Sequence, residues 1–281
     1  MRKGFVVPYA DSRDFAALAA LGEEHGWDGI FTWEALWGVD AWVSLAAAAL
    51  ETERIRLGTL LTPAARFKPW DLATRVGTVD RLSNGRVVLS VGLGAVHAHW
   101  LAFETDEGRK TRAEKLDECL AIYAGLMAGQ PFEFEGKHYT ARPTDFFLPD
   151  PPVQQPHPPV WVVGVYFVEK TRQRSLERPA RWNGLIPAIA ENGERATKTP
   201  ERLAEAVAIV RSLRAEAGLS MDGFDVVVEG DTFGGWAENV SAPSEWEAAG
   251  GTWWIESWWN VERGAEGLDE VRRRIQTGPP A

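Results

Sequence analysis

Two glutamates stand directly after short apolar runs that read as strands. Glu34 follows Gly29–Trp33, and Glu256 follows Thr252–Ile255. A carboxylate at the carboxyl end of a barrel strand is placed for proton transfer. The plainer alternative is an ion pair with one of the chain's many arginines. Glu229 and Asp231 share this placement with weaker support. His97 and His99 follow the turn Gly92-Leu93-Gly94, and an imidazole there suits proton transfer, phosphate contact or simply the surface. A metal is not expected, because a third ligand is needed and no cysteine or acidic pattern nearby supplies it. Lys170, Thr171 and Arg172 offer an ammonium, a hydroxyl and a guanidinium, a set suited to phosphate or to a solvated helix face. Fourteen tryptophans are present. Trp33 and Trp37 follow one strand, and Trp258 and Trp259 another, which suggests an aromatic-lined substrate pocket.

These residues need a scaffold that gathers loops at one end. The stretch from Arg54 to Gly94 reads as strand, loop, helix, turn and strand. Ile55–Leu61 and Val87–Val91 are near-continuous apolar runs, and Pro69 opens a helix carrying Leu72, Val76 and Val79 on one stripe. That is a parallel βαβ unit, covered on both faces. Six more strand candidates alternate with helical segments: Gly4–Val7, Gly29–Trp33, Val160–Val163, Gly184–Ile186, Phe224–Val228 and Thr252–Ile255. The chain of 281 residues allows one large α/β domain or two small ones, and an eightfold α/β barrel, at about 250 residues, would use nearly all of it. The expected fold is therefore α/β, a (β/α)8 TIM-like barrel with insertion loops, in a single domain over residues 1–281. A proline-rich loop is expected at 142–159, a charged helical insertion at 164–179 and a loose tail at 278–281. Glu191–Lys198 reads as a polar loop.

Gly92-Leu93-Gly94 does not extend to a dinucleotide fingerprint, since His97 stands where the third glycine belongs. The net charge of −10 argues against nucleic acid. No apolar run approaches membrane-spanning length, and the amino terminus is too short in apolar residues for a signal peptide. The single cysteine, Cys119, reads as a buried small apolar residue. A cytoplasmic protein is expected, and Asn239-Val240-Ser241 is then no glycosylation site.

Several segments, in order along the chain, resemble the bacterial luciferase-like oxidoreductases. They are Gly26-Trp27-Asp28-Gly29-Ile30-Phe31, Arg54 to Pro63, Asp80 to Gly94, Phe134 to Tyr139, Pro159-Val160-Trp161-Val162 and Ala180 to Gly184. The resemblance implies a TIM-like barrel, often a homodimer, with FMN or the deazaflavin F420 across the loop face. It places the ring system near Leu61, Thr62 and Gly94. It places the phosphate end near the loop after Gly164, with Val165, Lys170, Thr171 and Arg172. Many relatives, the F420-dependent ones especially, carry an Asp-His pair after the second strand, whereas this chain has Glu34-Ala35. The expected activity is a monooxygenase using reduced FMN and O2 on a small organic substrate, in a site shielded from water, with a separate flavin reductase. Glu34, His97 and Glu256 are its expected proton-handling residues. The alternatives are F420-dependent hydride transfer, or a barrel that binds a ligand without turnover.

Overall fold

The computed structural model describes residues 1–94, 102–234 and 241–281. In chain order its strands are β1 (Arg2–Val6), β2 (Gly29–Thr32), β3 (Arg56–Thr59), β4 (Thr62–Pro63), β5 (Val87–Gly92) and β6 (Phe134–Glu135). They continue with β7 (Thr140–Ala141), β8 (Val160–Phe167), β9 (Gly184–Glu191), β10 (Glu194–Arg195), β11 (Asp225–Gly230) and β12 (Trp253–Ser257). The helices are α1 (Ser12–Glu24), α2 (Ala41–Glu51), α3 (Pro69–Leu82), α4 (Arg109–Ala128), α5 (Arg174–Glu177), α6 (Pro200–Glu216), α7 (Pro243–Ala248) and α8 (Ala265–Gln276).

Parallel pairing runs β1–β2–β3–β5–β8–β9–β11–β12 and returns from β12 to β1. The ring is closed, as expected, and its carboxyl ends form one rim. Helix starts follow the local chemistry. Asp11 accepts from the amides of Arg13 and Asp14, Asp40 from those of Trp42 and Val43, and Pro69 and Pro200 occupy first-turn positions that need no donor.

The barrel interior is a packed core. Phe31, Trp161 and Trp253 meet there with ring centroids 5.3–5.9 Å apart. Gly58 makes room for them, since a Cβ at that position would lie 2.8 Å from the Phe31 ring. Outside the ring, the buried Arg86 donates to Ser83 O, Thr52 Oγ1, Ile55 O, Ala49 O and Thr52 O at 2.7–3.0 Å. It thereby satisfies the carbonyls around the end of α2. Arg86→Ala should cost about 3 kcal/mol or more in a denaturant titration, because several carbonyls lose their donor at once.

The proline-rich segment closes the opposite, amino-terminal end. Buried Asp80 accepts from Val153 N and from Gln154 N and Nε2, and Gln154 in turn reaches Val87 O and Arg56. Two expectations need correction. The segment 164–179 is not a helical insertion from its start: β8 runs on to Phe167, paired residue by residue with β9 up to Phe167↔Ala190. Its alternating Val163, Val165 and Phe167 face inward with period two, and only Arg174–Glu177 is α-helical. Nor is 191–198 a plain loop: β9 and β10 form a hairpin around Asn192 and Gly193, at φ 52° and 86°. No helix among the described residues is long and apolar enough to cross a membrane.

Candidate active site

The carboxyl-end rim opens into a cavity of about 990 Å³. Its floor is apolar, formed by Leu61, Pro63, Gly92, Leu93, Val163 and Ile186. A Cβ on Gly92 would come within 3.1–3.3 Å of Leu61 and Val163, so the backbone itself forms part of the floor. Trp33 and Glu34 stand at the end of β2, and Glu229 projects from β11.

Glu34 is held from one side only. Trp42 Nε1 and Thr62 Oγ1 both donate to its Oε1 at 2.7 Å, and Thr59 Oγ1 lies 2.9 Å from Thr62 Oγ1. Oε2 has no hydrogen bond among the described residues, which leaves it for a ligand. Burial pushes the Glu34 carboxyl up to about 7, with Asp40 adding to the rise and the two hydrogen bonds and Arg75 opposing it. A carboxyl near neutrality can both take and give a proton.

Strand parity separates the other acids. On β12, Trp253 and Ile255 face the barrel axis, so Glu256 points outward into the helix layer. There it accepts from Trp254 Nε1, Trp258 Nε1, Thr232 N and Thr232 Oγ1 at 2.7–3.2 Å. It is fully buried and lines no part of the cavity, and burial raises its pKa against the pull of those bonds. On β11, Val227 faces inward, which puts Glu229 on the cavity side.

The tryptophans divide similarly. Trp33 lines the cavity, with Nε1 donating to Pro8 O at 2.7 Å. Trp259 packs edge-on behind Trp33. Trp258 is not a pocket residue: it is buried against Phe5 and Trp27. Trp37 is 86% exposed and outside the cavity. His97, His99 and the Asn239-Val240-Ser241 motif's first two residues lie outside the described residues.

Of the expected cofactor residues, Leu61, Gly94 and Val165 line the cavity, and Thr62 stands behind Glu34. Gly164 faces outward toward Leu176 and Leu185. Lys170, Thr171 and Arg172 are exposed and do not line the cavity. Lys170 sits over the Phe167 ring, and Arg172 pairs with Glu177 at 3.1 Å. The cations that do line it are Arg109 and Arg112 from the first turn of α4, Arg174 and Arg178 around α5, and Arg195 and Lys198 after the β9 turn. Their signal in the sequence was faint, because they lie on three separate segments that only the barrel brings together. Six basic side chains line the cavity against the two acids Glu34 and Glu229, in a chain of net charge −10. An apolar floor beside a cationic end fits a planar ring system with an anionic extension.

The sequence profile of the luciferase-like monooxygenases matches residues 4–235, and the chain belongs to that family. Among curated proteins it resembles the F420-dependent glucose-6-phosphate dehydrogenase of Beutenbergia cavernae, 35% identical over 214 residues, 66% of this chain and 60% of that one. The enzyme of the same description from Amycolatopsis mediterranei is 30% identical over 208 residues, 67% of this chain and 62% of that one. The chain thus spans about three fifths of the length of these relatives. The crystal structure of a monooxygenase from Streptomyces bottropensis superposes with a TM-score of 0.74 at 20% identity, covering 98% of this chain and 97% of that one, which establishes the common fold.

Proposed function

We propose that this protein is an F420-dependent oxidoreductase that moves a hydride to or from a small hydroxylic substrate. The observation that carries the reading is one cavity lined both by a near-neutral carboxyl, Glu34, and by six cations. The curated relatives, both named as F420-dependent, favour this over reduced FMN with O2. When bound, the deazaflavin supplies the hydride-accepting carbon. The chain does the rest. Leu61, Gly92 and Val163 support the ring and exclude water. Arg112 and Arg178, half-buried, hold the phosphate. In alcohol oxidation Oε2 of Glu34 takes the hydroxyl proton, and in the reverse direction it returns it. Trp33 limits the space beside Glu34.

Ala35, standing where many relatives carry histidine, supports the second reading, a reduced-FMN monooxygenase. Titration of the purified protein with F420 and with FMN, each followed by absorbance and fluorescence, separates the two. Saturable binding of F420 in preference to FMN is the expected result. Tighter binding of FMN, or altered reoxidation of reduced FMN by the protein, overturns it. Binding of F420 without turnover on a broad alcohol and sugar panel leaves a ligand-binding barrel.

A further inference from the structure

We propose that Glu229 binds a second hydroxyl of the substrate, so that the compound oxidised at Glu34 is an uncharged polyol with its hydroxyls well apart, and not a simple alcohol. The inference rests on the F420 reading above and extends it to the substrate.

The acids and the cations of the cavity come from different stretches of the rim. Around the ring, β11 is followed by β12, β1 and β2, and the circuit returns through β3, β5, β8 and β9. All six lining cations stand on segments that follow β5, β8 and β9. Glu34 follows β2, and Glu229 stands near the end of β11. Only β12 and β1 lie between those two strands. Among the described residues, this arc lines the cavity with Trp33, Glu34, Leu36 and Glu229, and with no cation. A compound held there meets acceptors and apolar surface, which suits hydroxyls on a carbon frame.

Trp33 forms the wall between the two acids. Its Nε1 donates to Pro8 O, just past β1, at 2.7 Å. Trp259, just past β12, meets its ring edge-on at 6.3 Å between centroids, and Tyr9 does so at 6.5 Å. The indole is therefore fixed from the β1 and β12 sides, the direction in which β11 lies. Val227 faces the barrel axis, so Glu229, two residues on, faces the cavity. Ser257 Oγ donates to its Oε1 across a long 3.5 Å. A carboxylate offers about four acceptor sites, so it can serve the protein and a ligand hydroxyl together. Three strand steps of about 4.8 Å separate β11 from β2 along the wall. The two acids thus address separate hydroxyls, one at each side of a frame lying along Trp33. Glu34 takes the proton of the reacting hydroxyl while the hydride leaves for the cofactor. Glu229 changes no bond, and fixes which carbon of the substrate is presented.

The test offers cyclohexanol, trans-cyclohexane-1,2-diol and cyclohexane-1,4-diol to the purified protein with F420, and follows loss of the cofactor's absorbance. All three are uncharged and share one ring. The 1,4-diol should exceed cyclohexanol in kcat/KM by about ten- to a hundredfold, the range for a hydrogen bond to a charged acceptor. The 1,2-diol should stay near cyclohexanol. Glu229→Ala should bring the ratio of 1,4-diol to cyclohexanol down to the statistical factor for two equivalent hydroxyls. Glu229→Gln keeps an oxygen acceptor without the charge, and should leave the ratio between these values. The proposal fails if the wild-type ratio is no more than that statistical factor, or if the 1,2-diol is preferred. This wild-type comparison decides even where Glu229→Ala does not fold. The proposal also fails if Glu229→Ala lowers both alcohols by the same factor, as a purely structural loss would. F420 binding without oxidation of any of the three overturns the subsite and leaves the cofactor reading standing. Absence of F420 binding overturns that reading and this inference with it.

Discussion

Glu34→Gln is expected to lower turnover about 10²–10⁴-fold while the protein stays folded. The amide keeps an oxygen that Trp42 Nε1 and Thr62 Oγ1 can both reach, so the substitution removes the proton acceptor and little else. In the proposed alcohol oxidation the ionised carboxylate is the proton acceptor, so kcat/KM is expected to rise with pH through about 7. The reverse reduction needs the protonated form and falls over the same range. Thr62→Val removes a hydrogen bond that holds the carboxyl down, and moves both profiles upward in pH.

A signature independent of any cofactor follows from linkage. Glu34 titrates at about 7 when folded, against an ordinary 4.5. Between those values the native state holds more protons than the unfolded chain, so stability declines as pH rises through the window. At about 1.4 kcal/mol per pH unit the loss is on the order of 3 kcal/mol. Glu34→Gln should flatten this slope and melt higher than wild type at pH 8. Unchanged turnover, or an unchanged slope of stability between pH 4.5 and 7, removes Glu34 from the proposed chemistry.

Arg178→Ala should weaken cofactor binding about 10- to 100-fold, the range for losing a charge-assisted contact in a half-buried site. Arg178 forks onto Asp117 and also reaches Ala113 O, so it joins the end of α5 to α4 as well as lining the cavity. A control separates these roles. Asp117→Asn removes the ionic partner and keeps the guanidinium, so binding should stay near wild type. Arg178→Lys should recover part of the affinity, since it restores the charge and not the planar fork. Equal losses in Asp117→Asn and Arg178→Ala in a fluorescence titration mean that the residue acts on the helix contact alone.

The amino-acid sequence by itself determined the alternation of strands and helices, the barrel and the family. Those follow from local patterns: branched apolar runs too short for helices, Asp40 and Thr199 at cap positions, Pro69 and Pro200 in first turns. It also put Glu34 at a strand's carboxyl end, where the cavity opens. It placed Glu256 at a strand end, and Glu229 with weaker support, yet only the paired sheet decided that the first faces the helices and the second the cavity. Side chains alternate with period two, so a strand end is known from sequence sooner than the face its last residue takes. The signal was nevertheless present, since Trp253 and Ile255 share one face and Glu256 the other.

The cationic end was a matter of tertiary structure. Lys170, Thr171 and Arg172 are neighbours in the chain and invite a binding role, but Lys170 lies over Phe167 and Arg172 on Glu177. The residues that share the cavity come from α4, from α5 and from the hairpin after β9, more than 80 positions apart from first to last. Local patterning records which residues are buried within one element. It carries little about which loops meet at a rim, because that depends on ring closure and on where each strand stops.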